Sequence, residues 1–138
     1  MQLPFTGGCA CGAVRYECSA EPVLSGNCHC RDCQRATGSA YASLLFVPAP
    51  AVRLLTGEPR YHTVTSDSGH SVSRGFCSEC GSPVLGKLAK LPQFVVIHAA
   101  SLDDPSWHRP TIDSWTRSAQ PWDFMSPALA KHDKGLAR

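Results

Sequence analysis

Seven of the eight cysteines in this chain fall into three tight clusters: Cys9-x-Cys11, Cys28-x-Cys30-x-x-Cys33 and Cys77-x-x-Cys80. Thiolates at such spacings converge on one ion, and zinc, which prefers tetrahedral sulfur and nitrogen ligands, is the metal they suit. The first and last clusters supply two thiolates each and make one closed set of four. The middle cluster supplies three, which leaves a tetrahedral ion one position short. A closed site braces a fold, whereas an open one can take water or a substrate. Two Zn²⁺ per chain are therefore expected: a structural ion on Cys9, Cys11, Cys77 and Cys80, and an open, reactive one on Cys28, Cys30 and Cys33.

Charge decides what the open site would be good for. Three thiolates leave Zn²⁺ with a formal charge of −1, which makes it a poor generator of hydroxide. It is better suited to holding a fourth thiol as thiolate, because coordination deprotonates it. Making and breaking a carbon–sulfur bond between a small thiol and an aldehyde is the chemistry this implies. A histidine could instead close the site. His62, His70 and His98 are candidates that spacing does not separate, while His29 lies between two ligands, and in an extended segment its side chain points away from both. A closed second site would make the protein a non-catalytic, zinc-stapled binding module. Asp32, His29 and His98 are candidate acids or bases by type alone.

The elements that must position these residues read as strands. The apolar fraction is an ordinary 43%, and eleven Gly with eleven Pro point to many turns. Gly12 to Cys18 alternates with a period of two, with Cys18 on the apolar face as a core residue outside the metal sites. Asp32 to Thr37 fits a helical turn stopped by Gly38. Tyr41–Val47, Val52–Leu55, Pro83–Gly86 and Phe94–Ala99 read as strands, and Tyr61–Thr65 with Ser71–Phe76 as a hairpin. The result is an antiparallel, mainly β fold. The chain is expected to be a single domain over 1–138, with a core over about 3–100. An irregular tail over 101–130 would wrap the sheet with its tryptophans packed down, fraying from about Lys131. Gly81 and the glycines around Cys9-Ala-Cys11 suit tight metal turns. The two halves of the four-cysteine set are far apart in sequence. Closing that loop costs on the order of 4 kcal/mol, against about 10–16 kcal/mol available from a structural zinc.

Net charge is only +2, with basic residues scattered, so neither nucleic acid nor a membrane surface is an expected partner. No secretory or membrane-spanning segment is visible, and a cytoplasmic location, where thiols stay reduced, is expected. An exposed sheet edge would permit a homodimer.

Three segments together, Gly8-Cys-Ala-Cys-Gly-Ala-Val-Arg-Tyr16, Cys28-His-Cys-Arg-Asp-Cys-Gln-Arg-Ala-Thr-Gly-Ser39 and Arg74-Gly-Phe-Cys-Ser-Glu-Cys-Gly-Ser-Pro83, resemble the glutathione-dependent formaldehyde-activating (GFA-like, or centromere-protein-V-like) family. The resemblance covers roughly the first hundred residues. It implies an Mss4-like fold of antiparallel sheets with zinc-binding turns and the same division of cysteines between a structural and a catalytic zinc. The activity it implies is that of a carbon–sulfur lyase joining formaldehyde and glutathione as S-hydroxymethylglutathione. Glutathione would then be the thiol partner, with Arg31, Arg35 and Thr37 as candidate contacts and Arg74 beside the last motif. Asp113-Ser-Trp115 and Pro121-Trp-Asp123 match the family's tail more loosely.

Overall fold

The computed structural model describes residues 1–135. In chain order its strands are β1 (Phe5–Gly8), β2 (Arg15–Cys18), β3 (Leu24–Cys28), β4 (Ala42–Pro48), β5 (Val52–Thr56) and β6 (Arg60–Thr65). They continue with β7 (Ser71–Phe76), β8 (Pro83–Leu88), β9 (Phe94–His98), β10 (Ile112–Ser114) and the short β11 (Ala130–Lys131). The one α-helix among the described residues, α1, spans Arg31–Thr37. The fold is thus mainly β, as expected. The β1, β2 and β5 strands form a three-stranded antiparallel sheet, and the others a larger one in the order β11-β10-β3-β4-β9-β8-β7-β6.

The alternating sequences behave as their period requires. Tyr16 and Cys18 of β2 are fully buried, and Cys18 packs in the core, outside both cysteine groups. The core lies between the two sheets: Leu45 and Val47 of β4 and Val95 and Ile97 of β9 pack with Phe5, Val14 and Tyr16. Because successive side chains of a strand point to opposite faces, the same strands send Leu44, Phe46, Val96 and His98 to the other side, where they line a cavity. The expected hairpin forms with Tyr61 opposite Gly75, and its turn closes through Gly69 at φ 84°.

A polar chain ties the sheets together through the core. The Tyr16 hydroxyl donates to Ser101 Oγ at 2.7 Å, and Ser101 Oγ donates to the His98 carbonyl at 2.7 Å. Burial of the phenol raises its pKa to about 12, so it stays a donor. Gly7 is required beside it, since a Cβ there would lie 2.3 Å from the Tyr16 oxygen. At the surface Arg15 forms a forked pair with Asp103, at 2.8 and 2.5 Å.

The tail departs from the irregular wrapping expected of it. Ile112–Ser114 joins the large sheet as β10, parallel to β3, because β3 otherwise leaves an edge of unpaired backbone groups. Trp107 packs on Phe5 with ring centroids 5.1 Å apart, but Trp122 is 70% exposed and does not pack down. The expected fraying from Lys131 does not occur over 131–135: His132 N–H donates to the Asp113 carbonyl at 2.8 Å and Trp115 N–H to that of Lys134 at 3.0 Å. The rest of that expectation, residues 136–138, lies outside the described residues.

Tyr16→Phe should remove one buried hydrogen bond and no volume from the core. A loss of about 1 kcal/mol in urea denaturation is expected, with the metal content of the protein unchanged.

Candidate metal centres and cavity

Two backbone turns bring the four-cysteine set together. In the first, Cys9 N–H donates to the Val14 carbonyl at 3.1 Å and Gly12 N–H returns to Cys9 at 3.3 Å. In the second, Cys77 N–H donates to the Ser82 carbonyl at 3.0 Å and Gly81 N–H to the Cys77 carbonyl at 2.8 Å. Gly12 and Gly81 take φ of 82° and 78°, the left-handed region that favours glycine. The sulfurs also accept from the backbone, Cys9 Sγ from Val14 N–H at 3.2 Å and Cys77 Sγ from Glu79 N–H at 3.4 Å. The Ser82 hydroxyl, helped by its own backbone N–H, lowers the Cys80 thiol to about 5.

Distances test whether this set fits an ion. Four Zn–S bonds of about 2.3 Å in a tetrahedron place neighbouring sulfurs about 3.8 Å apart. Cys9 and Cys11 Sγ are 3.7 Å apart, Cys11 and Cys77 Sγ 3.8 Å, and all four ligand atoms lie within 4.8 Å of one another. The four residues fit a tetrahedral metal, with zinc favoured by the all-sulfur donor set.

The middle cluster is built on the entry to α1. Cys28 ends β3, and Cys30 is the N-cap of the helix, its Sγ accepting from Cys33 N–H at 3.3 Å. The helix closes at Gly38, which has φ 69° and donates to the Gln34 carbonyl at 2.8 Å. One helical turn thus brings Cys33 beside Cys28 and Cys30, and the three sulfurs lie within 4.8 Å of one another. Among the described residues no fourth cysteine, histidine or carboxylate joins the group. Hydrogen bonds from Cys28, then from Cys33, hold Cys30 well below the ordinary thiol range, while the same bonds raise Cys28 to about 11 and push Cys33 up, so the negative charge of the group sits first on Cys30. The Arg74 guanidinium, 3.6 Å from Cys33 Sγ, lies on the same side.

These sulfurs sit in the wall of a cavity of about 240 Å³ on the outer face of the large sheet. His98 lines it, and burial followed by the charge of Arg74 lowers its pKa to about 4, which keeps the ring neutral. His62 and His70 lie exposed on the β6–β7 hairpin and do not line it. Arg31, Arg35 and Thr37 are not among its lining residues either. Arg31 donates to Gln34 Oε1 at 2.5 Å, Arg35 is exposed, and the Thr37 hydroxyl donates to the Cys33 carbonyl at 2.9 Å. Among the described residues, Arg74 is the arginine that lines the cavity.

His29 has a role that spacing did not reveal. Its ring is buried between two carboxylates, Nδ1 at 2.6 Å from Asp123 Oδ2 and Nε2 at 2.8 Å from Asp113 Oδ1. Both ring nitrogens are therefore committed away from the sulfurs. Lys131 Nζ donates to the second oxygen of Asp113 at 2.8 Å. Burial opposes ionisation of Asp113, but Lys131 and His29 outweigh it, and the carboxyl lies below its usual range. Buried Gln34 donates to the carbonyls of His29 at 2.8 Å and Ser118 at 3.0 Å, a second clasp between the cysteine loop and the tail. The only hint in the sequence was that each carboxylate stands near a tryptophan, in Asp113-Ser-Trp115 and Pro121-Trp-Asp123.

Fold and site together define a mainly β protein with two cysteine groups shaped for metal, one closed and one opening on a cavity. A sequence profile of the "Glutathione-dependent formaldehyde-activating enzyme" family matches residues 4–118, and the chain belongs to that family. Proteins named "Putative glutathione-dependent formaldehyde-activating enzyme" from Colletotrichum graminicola and Penicillium rubens are 26% and 25% identical to it. The matches cover 78% and 83% of this chain but 61% and 63% of those relatives, so it spans under two-thirds of their length. A crystal structure of a Rhodobacter sphaeroides protein shares the fold with a TM-score of 0.56 at 22% identity, covering 71% of this chain and 87% of that one. Among the described residues no helix is long and apolar enough to cross a membrane.

Asp113→Ala should leave the buried His29 Nε2 without its partner and destabilise the protein by about 1–3 kcal/mol. Lys131→Met, at a partly exposed position, should cost under about 1 kcal/mol. Chemical denaturation of the two metal-loaded variants beside the parent checks the ordering.

Proposed function

We propose that this protein is a zinc-dependent enzyme of the carbon–sulfur lyase type, making and breaking the adduct of a small thiol with an aldehyde. S-hydroxymethylglutathione is the adduct to which the family name points. The observation that carries this reading is the three-sulfur group, with no fourth protein ligand among the described residues, in the wall of a cavity. Cys28, Cys30 and Cys33 would hold the catalytic zinc, and Cys9, Cys11, Cys77 and Cys80 a structural one. The catalytic ion, when bound, would supply a fourth coordination position that favours a thiol in its thiolate form.

The reaction needs no redox partner. In the synthetic direction the thiol loses its proton, the sulfur lone pair forms the C–S bond, and the carbonyl oxygen takes up a proton to become a hydroxyl. Cleavage reverses each change. Arg74 stabilises negative charge at the sulfurs from 3.6 Å. Of the three candidate acids and bases, His98 alone lines the cavity, and as a neutral imidazole it can relay the proton of the adduct's hydroxyl. His29 and Gln34 hold the cysteine loop against the tail, fixing where the sulfurs point.

Two zinc ions per chain are expected by metal analysis of untagged protein. Cys30→Ser should lose one ion and keep a folded spectrum by circular dichroism, whereas Cys77→Ser should lose the fold. Equal unfolding of both variants would mean that both ions are structural.

Exchange NMR on formaldehyde with glutathione, and with simple thiols, should show faster adduct exchange when zinc-loaded protein is added. His98→Leu should slow that exchange by about 10²-fold or more. No acceleration with any thiol at full zinc occupancy would identify a binding module instead.

A further inference from the structure

The cavity beside Cys28, Cys30 and Cys33 has an apolar wall, with Arg74, Lys87, Lys90 and three serines also among its lining residues. Leu24, Leu44, Phe46, Val72, Leu88 and Ile112 line it and remain only half-buried, so apolar surface faces open space. In cross-strand register Leu24, Phe46 and Val96 form one apolar row, which continues to Gly86 and ends at Arg74. Gly86 keeps that row open: within 4 Å, a Cβ there would meet only the Ser73 carbonyl at 3.1 Å and the Arg74 Cα at 4.0 Å. The volume of about 240 Å³ falls just below the range of roughly 300–1,000 Å³ usual for small-molecule pockets. That space suits a short apolar chain, with the polar end of the ligand left to the wider depression of about 670 Å³ that adjoins it.

The guanidinium of Arg74 is already turned to Cys33. Among the described residues, Lys90 and Lys134 stand at the mouth without an ion pair. There an adjoining depression is lined by Lys90, Lys134, Arg117 and Asp67, with Arg117 3.8 Å from Asp133. Lys90 and Trp115 line both spaces, so apolar row and cationic mouth form one continuous surface.

We propose that the thiol accepted here has an apolar chain lying along the Leu24–Phe46–Val96 row and a carboxylate at the mouth beside Lys90 and Lys134. Its chemical class is an ω-mercapto fatty acid or the aldehyde adduct of one, rather than a polar thiol peptide. The assignment rests on the three-cysteine group being a thiol site.

Calorimetric titration of zinc-loaded protein with mercaptoethanol, mercaptopropionate, mercaptohexanoate, mercaptooctanoate (the acids as ω-thiols) and glutathione tests it. Methyl NMR of Val72, Val96 and Ile112 serves as a second readout. Affinity should rise roughly fourfold per methylene along the acid series, the three methyl signals should shift, and glutathione should bind more weakly than mercaptooctanoate. Gly86→Leu should flatten the series. Lys90→Glu combined with Lys134→Glu should weaken mercaptooctanoate several-fold, with less effect on the uncharged mercaptooctanol. A flat series in the parent protein, or glutathione binding as tightly as the longest acid, overturns the apolar assignment while leaving the thiol site standing. If no thiol binds, mercaptoethanol included, both the thiol site and this assignment fall.

Discussion

A strand can send only every second side chain to a given face, and this constraint on the large sheet shapes everything else in the molecule. Leu45, Val47, Val95 and Ile97 go inward and close the core against the small sheet. Their neighbours Leu44, Phe46, Val96 and His98 must then face the other way, and there they become the wall of the cavity. A slip of one residue in the pairing of β4 with β9 would exchange the two sets. Core stability and cavity chemistry are therefore specified by the same register.

The cysteine groups are fixed by local backbone geometry at the margins of that framework. Each half of the four-sulfur set is a short turn closed by its own N–H groups and a left-handed glycine, so two thiols are already aimed before the halves meet. Packing of the small sheet against the large one brings the halves to tetrahedral spacing. The three-sulfur group depends instead on a strand end and the first turn of a seven-residue helix. A helix that short has little stability of its own. Gln34 and the paired carboxylates on His29 supply what propensity does not, by binding the cysteine loop to the tail. Tail and loop thus form one cooperative unit, although the tail carries no candidate ligand.

Strand alternation, the hairpin around Gly69, the helix stop at Gly38 and the three short cysteine clusters were all legible in the chain, because each is decided over a few residues. The exclusion of Cys18 from the metal sites followed from its place on the apolar face of β2. Arginines beside a motif were a weaker guide. Arg31 and Arg35 are near the cysteines in sequence but absent from the cavity wall, whereas Arg74 reaches it from a distant strand. The tail was hardest to read. Three residues of β10 carry too little periodicity to declare a strand, and only the vacant edge of β3 gives them a partner.

By itself the sequence determined which ligand groups the chain offers: two thiolate pairs with glycines beside them, one thiolate triplet, and strands whose apolar residues recur at a period of two. Ligand type, turn chemistry and periodicity act at short range, so linear order suffices to express them. Only the tertiary structure decided that the pairs meet, that His98 rather than His62 or His70 faces the cavity, and that His29 turns its ring to Asp113 and Asp123. Each of those outcomes depends on sheet register and on which edge accepts β10. Those are long-range packing choices, and no local stretch of chain contains them.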